Sequence, residues 1–326
     1  MKMYYLDVLL PFHVNDGFLT AAIESCMKAL PKNSRLLMIN TLSEEKILQD
    51  HSELFIELNY PNANYISALM LGMANSNSEY IALMNSDDLI DADRFFKQIE
   101  ALGSSGREIC VANLSKFVMK ETSKKIKIPP LLGKPTGHFH ESLLLLGPYR
   151  ADASWCFTSE WARKNRLFSA DGDVSDWCVA MRVMNSTNTI VLDKDLYFYR
   201  IHSGQLSQNR DIHKSEKHIS SWNALNNKFG FRKLSAAEIQ VLTSNYGRIK
   251  TKELESVFLW LKELQDYLMN NLPQSEKQQV KNLISRRRLF ICYKHRVLRL
   301  QLHDVRILGT VFLEYCKFRK FLRGEI

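Results

Sequence analysis

No stretch of the chain reaches the roughly 18 consecutive apolar residues that a membrane-spanning helix needs, although 45% of its 326 residues are apolar. The segment from Met1 to Pro11 is not expected to be a signal peptide. Asp7 and Pro11 interrupt its apolar run, and no small-residue cleavage site follows. The six cysteines, Cys26, Cys110, Cys156, Cys178, Cys292 and Cys316, are scattered. Without the close pairs of a zinc site or a redox motif, they read as reduced thiols of a cytosolic protein. No glycine-rich loop follows the first predicted strand, which argues against a dinucleotide-binding dehydrogenase and against a P-loop NTPase. Internal repeats and low-complexity segments are absent, as is any RNA- or DNA-binding motif, so nucleic acid is not an expected partner.

The charge that is present is unevenly placed. The net charge is +9. From Ile284 to Ile326 eleven Lys or Arg stand against three acids, a surplus of +8. The tail therefore holds nearly all of the excess, which points to an anionic partner for it. Leu289, Tyr293, Val297 and Leu300 fall on one face at helical spacing, with basic residues around them. That arrangement suits docking at the headgroups of an anionic membrane. A solvated basic helix packed on the rest of the protein is the plainer alternative.

Taken in order, the chain alternates strands and helices. Tyr4–Leu10 reads as a strand stopped by Pro11, followed by a helix with Phe18, Leu19, Ala22, Ile23, Cys26, Met27 and Leu30 at helical spacing. Strands are predicted at Leu36–Ile39, Leu54–Leu58 and Tyr80–Met84, with helices over Ser43–Gln49, Asn62–Ala74 and Arg94–Leu102. This alternation predicts an α/β fold with a mainly parallel sheet. A hairpin is predicted over Ile109–Ile128, a helix over His140–Leu146, and a strand at Ser154–Thr158 leading to a helix at Glu160–Asn165. Two strands are predicted at Thr189–Leu192 and Leu196–Arg200. After about Ile212 the pattern is helical throughout, so the chain is expected to divide into a domain of residues 1–211 and a helical, basic region of residues 212–326.

The run from Tyr80 to Met84 ends in Asn85, Ser86, Asp87 and Asp88. In open α/β sheets ligands bind outside the carboxyl ends of the strands. Two adjacent carboxylates at that place repel unless a cation or hydrogen bonds offset the charge. Oxygen ligands of this kind suit Mg²⁺ or Mn²⁺ shared with a substrate phosphate. The competing reading makes Asp87 and Asp91 caps of the next helix.

Four segments in order then resemble family 2 glycosyltransferases, inverting enzymes of the GT-A fold. They are Val8–Asn15 with its following helix, Glu79–Asp88, Asp173–Trp177, and Tyr199–Ser207. The resemblance covers roughly residues 4–207. It implies a Rossmann-like sheet with helices on both faces, a nucleotide-sugar donor and a divalent cation. It makes Asp87 the metal ligand, with His202 able to join it, and Asp88 a residue that orients the site. It gives Asp176 the role of general base for the acceptor hydroxyl, with Asp173 and Asp171 competing. Pro11, His13, Asn15, Asn40, Asn64, Asn85 and Arg200 are then expected along the donor. Trp155 and Trp177 offer a sugar platform or plain core.

This sequence departs from the family pattern at Asn40 and Asn85, where the family usually carries Asp, and at Asn64 and Met70 in the third helix. The expected reaction moves a sugar, from a UDP-linked donor, to a hydroxyl of a surface glycan such as lipopolysaccharide or capsule. The expected place is the cytoplasm, with the tail reaching a lipid-linked acceptor on the cytoplasmic face of the inner membrane. The departures motivate an alternative: a non-catalytic relative that binds sugar nucleotide or scaffolds an assembly.

Overall fold

A computed structural model describes residues 4–43, 53–119, 125–128, 137–138, 152–168, 189–202, 229–243 and 251–272, with scattered helical positions between 219 and 291. The chain divides into two compact units. The first comprises Met1–Lys127, Thr136–Glu141 and Arg150–His202; the second comprises Ile128–Pro135, Ser142–Tyr149 and Ser203–Ile326.

The first unit is built on one sheet. Strands β1 (Tyr4–Phe12), β2 (Ser34–Asn40), β3 (Phe55–Asn59) and β4 (Ser78–Leu83) lie parallel in the order β3-β2-β1-β4. Leu6, Val8, Leu9 and Leu10 of β1 are all buried, as are Leu36, Leu37, Met38 and Ile39 of β2. A continuous apolar run of this kind marks a strand covered on both faces, not one alternating between core and water. Helix α1 (Gly17–Ala29) joins β1 to β2, and α2 (Tyr65–Asn75) joins β3 to β4. Helix α2 lies close enough to the sheet that a Cβ on Gly72 would stand 3.0 Å from Leu9 Cδ2 and 3.2 Å from Ile39 Cδ1. Only glycine fits there without displacing a neighbour.

Beyond β4 the sheet becomes mixed. Strand β9 (Trp155–Thr158) runs antiparallel to both β4 and β6 (Ile109–Met119), and β10 (Thr189–Arg200) runs parallel to β6. The short β5 (Leu89–Ile90) closes the edge against β10. Strands β7 (Lys125–Ile128) and β8 (Gly137–His138) attach to β6 and β10 respectively. Helix α3 (Arg94–Ser105) precedes β6, and α4 (Ser159–Lys164) follows β9.

Two boundaries differ from the sequence expectation. Strand β1 does not stop at Pro11 but continues to Phe12. Its pairing with β4 has ended at Leu9–Leu83, and Met84 N donates to Leu9 O at 3.0 Å. Backbone polar groups alternate sides along a strand, so the N–H that proline lacks would have pointed past the end of β4. The two strands expected at the end of the domain are one, β10, whose register with β6 shifts between Val191 and Asp195 and again before Tyr197. A bulge absorbs the charged Asp193-Lys194-Asp195 stretch that reads as a loop in sequence.

At the opposite end of the sheet Asp7 is fully buried and holds Arg35 through two hydrogen bonds of 2.8 Å, while accepting Asn77 N at 2.9 Å. The Arg35 guanidinium also lies 3.9 Å from the centre of the Tyr4 ring.

The second unit contains α5 (Ala236–Thr243) and α6 (Thr251–Asn271). Leu254, Val257, Leu261, Leu264 and Leu268 form the buried stripe of α6, spaced as an amphipathic helix requires. Trp260 lies edge-on to Trp222 at 5.8 Å and donates from Nε1 to Asn226 Oδ1 at 2.9 Å. Among the described residues no helix is long and apolar enough to cross a membrane.

Candidate active site

The site is assembled where β1, β2 and β4 end and where β10 returns. Residues 85–88 leave β4 immediately after its last pair with β1. The last residue of β4, just before them, is held by Arg94, the first residue of α3, which is completely buried. Arg94 Nη2 donates to Leu83 O at 3.0 Å and to Ala153 O at 2.6 Å, and its Nε donates to Gln98 Oε1 at 3.0 Å. Gln98 in turn donates to Cys110 O and Ser154 O. One Arg-Gln pair, four residues apart on one helix face, thus ties the ends of β4, β6 and β9 together. The guanidinium has no carboxylate partner among its hydrogen bonds, and burial lowers its pKa. It stacks instead on the rings of Tyr197 and Phe95, each 5.0 Å away.

Above this support the two aspartates part company. Asp88 is fully buried. Its carboxylate accepts the Tyr197 hydroxyl at 2.5 Å, the Arg200 backbone N–H at 2.7 Å and Asn85 Nδ2 at 3.3 Å. Burial, and after it the charge of Asp87, push its carboxyl up to about 7, against the lowering effect of these three donors. Asp87 points the other way and is partly exposed. Its Oδ2 lies 3.0 Å from His202 Nε2, while its main-chain oxygen accepts Arg200 Nε at 2.6 Å. Arg200 and His202 are two residues apart at the end of β10 and so project to the same side. Both also meet Phe18 of α1: the Arg200 guanidinium lies 4.4 Å from the ring centre, and the His202 ring lies 4.9 Å from it.

Asp87 does not cap α3. Asp93 is the N-cap residue, and Asp91 receives the backbone N–H of Asp93. The structure therefore brings Asp87, Asp88, Arg200 and His202 together from segments 112 or more residues apart in sequence. An oxygen and an imidazole nitrogen on neighbouring atoms form a donor pair that fits Mn²⁺ or Mg²⁺ when a diphosphate supplies further oxygens. No group of three or more potential metal-binding side chains occurs among the described residues. Asp88 is committed to its three hydrogen-bond donors, so the fit is to a two-residue set.

The other expected donor residues fall into two groups. Pro11 is buried in β1, and His13 and Asn15 are exposed in the loop that follows. Asp16 caps α1 by accepting Phe18 N and Leu19 N. Asn64 is the N-cap of α2, accepting Ser67 N at 2.8 Å, and Met70 is partly exposed on that helix. Asn40 is fully buried at the end of β2. Its Oδ1 accepts Leu42 N and Ser43 N, and its Nδ2 donates to the buried carboxylate of Glu57 at 2.8 Å. Asn85 likewise accepts the Tyr65 hydroxyl at 3.1 Å and donates to Asp88. Each asparagine thus hands an N–H to a buried carboxylate, a contact that an aspartate would turn into repulsion. Trp155 is buried beside Phe157 and serves as core. Asp171, Asp173, Asp176 and Trp177 lie outside the described residues, as do residues 44–49 of the predicted helix at 43–49, the predicted helix at 140–146 and most of the basic tail.

Tyr197, Phe18, Arg94 and Glu57 carry much of this geometry and are not singled out by the sequence. A tyrosine in an apolar strand and a phenylalanine in an amphipathic helix read as core.

The sheet order, the acidic turn after β4 and the returning β10 are those of the GT-A type of α/β fold. Residues 7–163 match the family model for glycosyl transferase family 2. The same fold occurs in S. aureus TarS. Its 1–349 fragment in complex with UDP-GlcNAc superposes with a TM-score of 0.54 at 11% identity, covering 91% of this chain and 93% of that one. The fragment without ligand and the fragment with UDP each give 0.53 at 13% identity, covering 96% and 91%. Among curated protein sequences nothing matches this chain.

Proposed function

We propose that the chain transfers a sugar, with inversion, from a UDP-linked donor to a hydroxyl of a surface glycan, using a divalent cation. The observation that carries this reading is the joint placement of Asp87, Arg200 and His202 above buried Asp88. Asp87 and His202 would hold the cation, which supplies charge stabilisation to the departing diphosphate. Arg200 adds a fixed positive charge beside it, desolvated and therefore effective. Asp88, braced by Tyr197 and the Arg200 backbone, keeps the turn that presents Asp87. Asp176 is the proposed base that takes the proton from the acceptor hydroxyl. The relatives of the same fold that hold UDP-GlcNAc or UDP support a uridine donor. The basic tail is proposed to reach an anionic membrane surface where a lipid-linked acceptor resides.

The test is a thermal-shift panel of nucleoside diphosphates and sugar nucleotides, with and without Mn²⁺. A ligand that binds the native state alone raises its melting temperature by mass action. The expected result is a Mn²⁺-dependent shift with UDP that is lost in Asp87→Ala, together with UDP release on adding acceptor that is lost in Asp176→Asn. No shift with any nucleotide at millimolar concentration sinks the donor assignment. Unchanged sedimentation with anionic liposomes after deletion beyond Ile284 removes the membrane proposal.

A further inference from the structure

We infer that Phe18 is a positioning residue of the donor site, a ring wedge that sets the directions of Arg200 and His202 at once. This rests on the donor-site reading given above. The two side chains leave the end of β10 on the same side, and each has a long lever: guanidinium on one, imidazole on the other. Both reach the acidic turn: Arg200 Nε donates to Asp87 O at 2.6 Å, and His202 Nε2 lies 3.0 Å from Asp87 Oδ2. The Phe18 ring packs against both and bounds their torsions, with the guanidinium carbon 4.4 Å from its centre and the imidazole tilted 60° at 4.9 Å.

The wedge is itself fixed. Phe18 is the second residue of α1 and donates its N–H to Asp16 Oδ1 at 2.9 Å, as Leu19 does at 3.1 Å. The cap sets the first turn of the helix, and buried Leu19 seats it against the sheet. A π face prefers a cation above it, so the ring also favours the guanidinium geometry that leaves Arg200 beside Asp87. Aliphatic side chains of similar volume fill the same space without that preference. Phe18 touches neither the reacting atoms nor the proposed cation; it acts through the two residues that do.

Phe18→Leu and Phe18→Tyr in the full chain separate this role from packing. UDP affinity is measured by calorimetry with and without Mn²⁺, beside the melting temperature and the ¹⁵N-resolved Nε–H resonance of Arg200. In Phe18→Leu the UDP affinity is expected to fall about tenfold with Mn²⁺ and by less without it, where Arg200 alone of the pair acts, with the fold retained, and Phe18→Tyr is expected to keep the wild-type values. A loss that is equal with and without Mn²⁺, or none at all, overturns the proposal. If the wild type binds no nucleotide, the donor-site reading fails, and the wedge is then judged from the resonance alone. A ring-current shift of Arg200 Nε–H that disappears in Phe18→Leu sustains it, and an unchanged resonance overturns it. Should the leucine variant not fold, Phe18→Met takes its place under the same criteria.

Discussion

Replacing Asn40 by aspartate makes this chain resemble its family more closely and should nevertheless harm it. The amide oxygen of Asn40 accepts two backbone N–H groups, from Leu42 and Ser43, and a carboxylate keeps both. What changes is the other end. Nδ2 now donates to Glu57 Oε1 at 2.8 Å, with Asn40 0% and Glu57 4% exposed. Aspartate there sets two carboxylates in direct contact away from water. At an effective dielectric of about 20, unit charges roughly 3 Å apart repel by about 5 kcal/mol. The pair escapes part of this by binding a proton. Holding a carboxyl protonated at pH 7 against an ordinary pKa near 4 costs about 1.4 kcal/mol per unit, or about 4 kcal/mol. The variant should therefore lose about 3–4 kcal/mol at pH 7. Its folded state would then bind one proton more than its unfolded state above pH ~4, so stability falls as pH rises. Urea unfolding at pH 5.5 and 7.5 measures this. Asn40→Asp should recover on acidification, and Asn40→Asp/Glu57→Gln should restore a donor-acceptor pair and most of the loss at neutral pH. A single variant as stable as wild type at both values refutes the reasoning.

Two more outcomes follow from the buried charges. Asp88 carries a carboxyl raised to about 7, chiefly by burial. The folded chain holds that proton where the unfolded chain has lost it, so this residue's contribution to stability declines from about pH 4 to about pH 7 and is flat above. Tyr197→Phe removes a donor that opposes the rise, and should cost about 1.5–3 kcal/mol above pH 7 and less at pH 5, by urea titration at both. A pH-independent loss counts against the contact. Arg35→Met strands the buried Asp7 carboxylate with Asn77 N as its remaining donor among the described residues, and should cost about 3–5 kcal/mol at pH 7. Equal midpoints for variant and wild type would show that water reaches Asp7.

Much of the fold is legible in the residues themselves. Continuous apolar runs flanked by Pro, Asn and Asp mark β1, β2 and β4, because a strand buried on both faces needs no polar positions. The acidic turn is legible for the same reason: four polar residues ending such a run have nowhere to go but the strand terminus. The segment Tyr199-Arg-Ile-His202 stands out as polar chemistry at the end of an apolar strand. Those features are local, and local sequence sets them.

What tertiary structure alone decided is the division of labour among the polar groups. Asp87 and Asp88 are neighbours of the same chemistry, yet one faces His202 and the other is sealed beneath Tyr197, because β10 returns 109 residues later to supply the hydroxyl. Asn40 and Asn85 look in sequence like lost acids, and each proves to be the partner of a buried carboxylate. Glu57 lies 17 residues from Asn40 on the adjacent strand, a pairing fixed by parallel register and not by spacing along the chain. Phe18 reads as one apolar position of a helix, and its neighbours on the other side come from β10. Burial and charge are properties of surroundings, and the surroundings of these residues are made by chain segments that meet only in the folded protein.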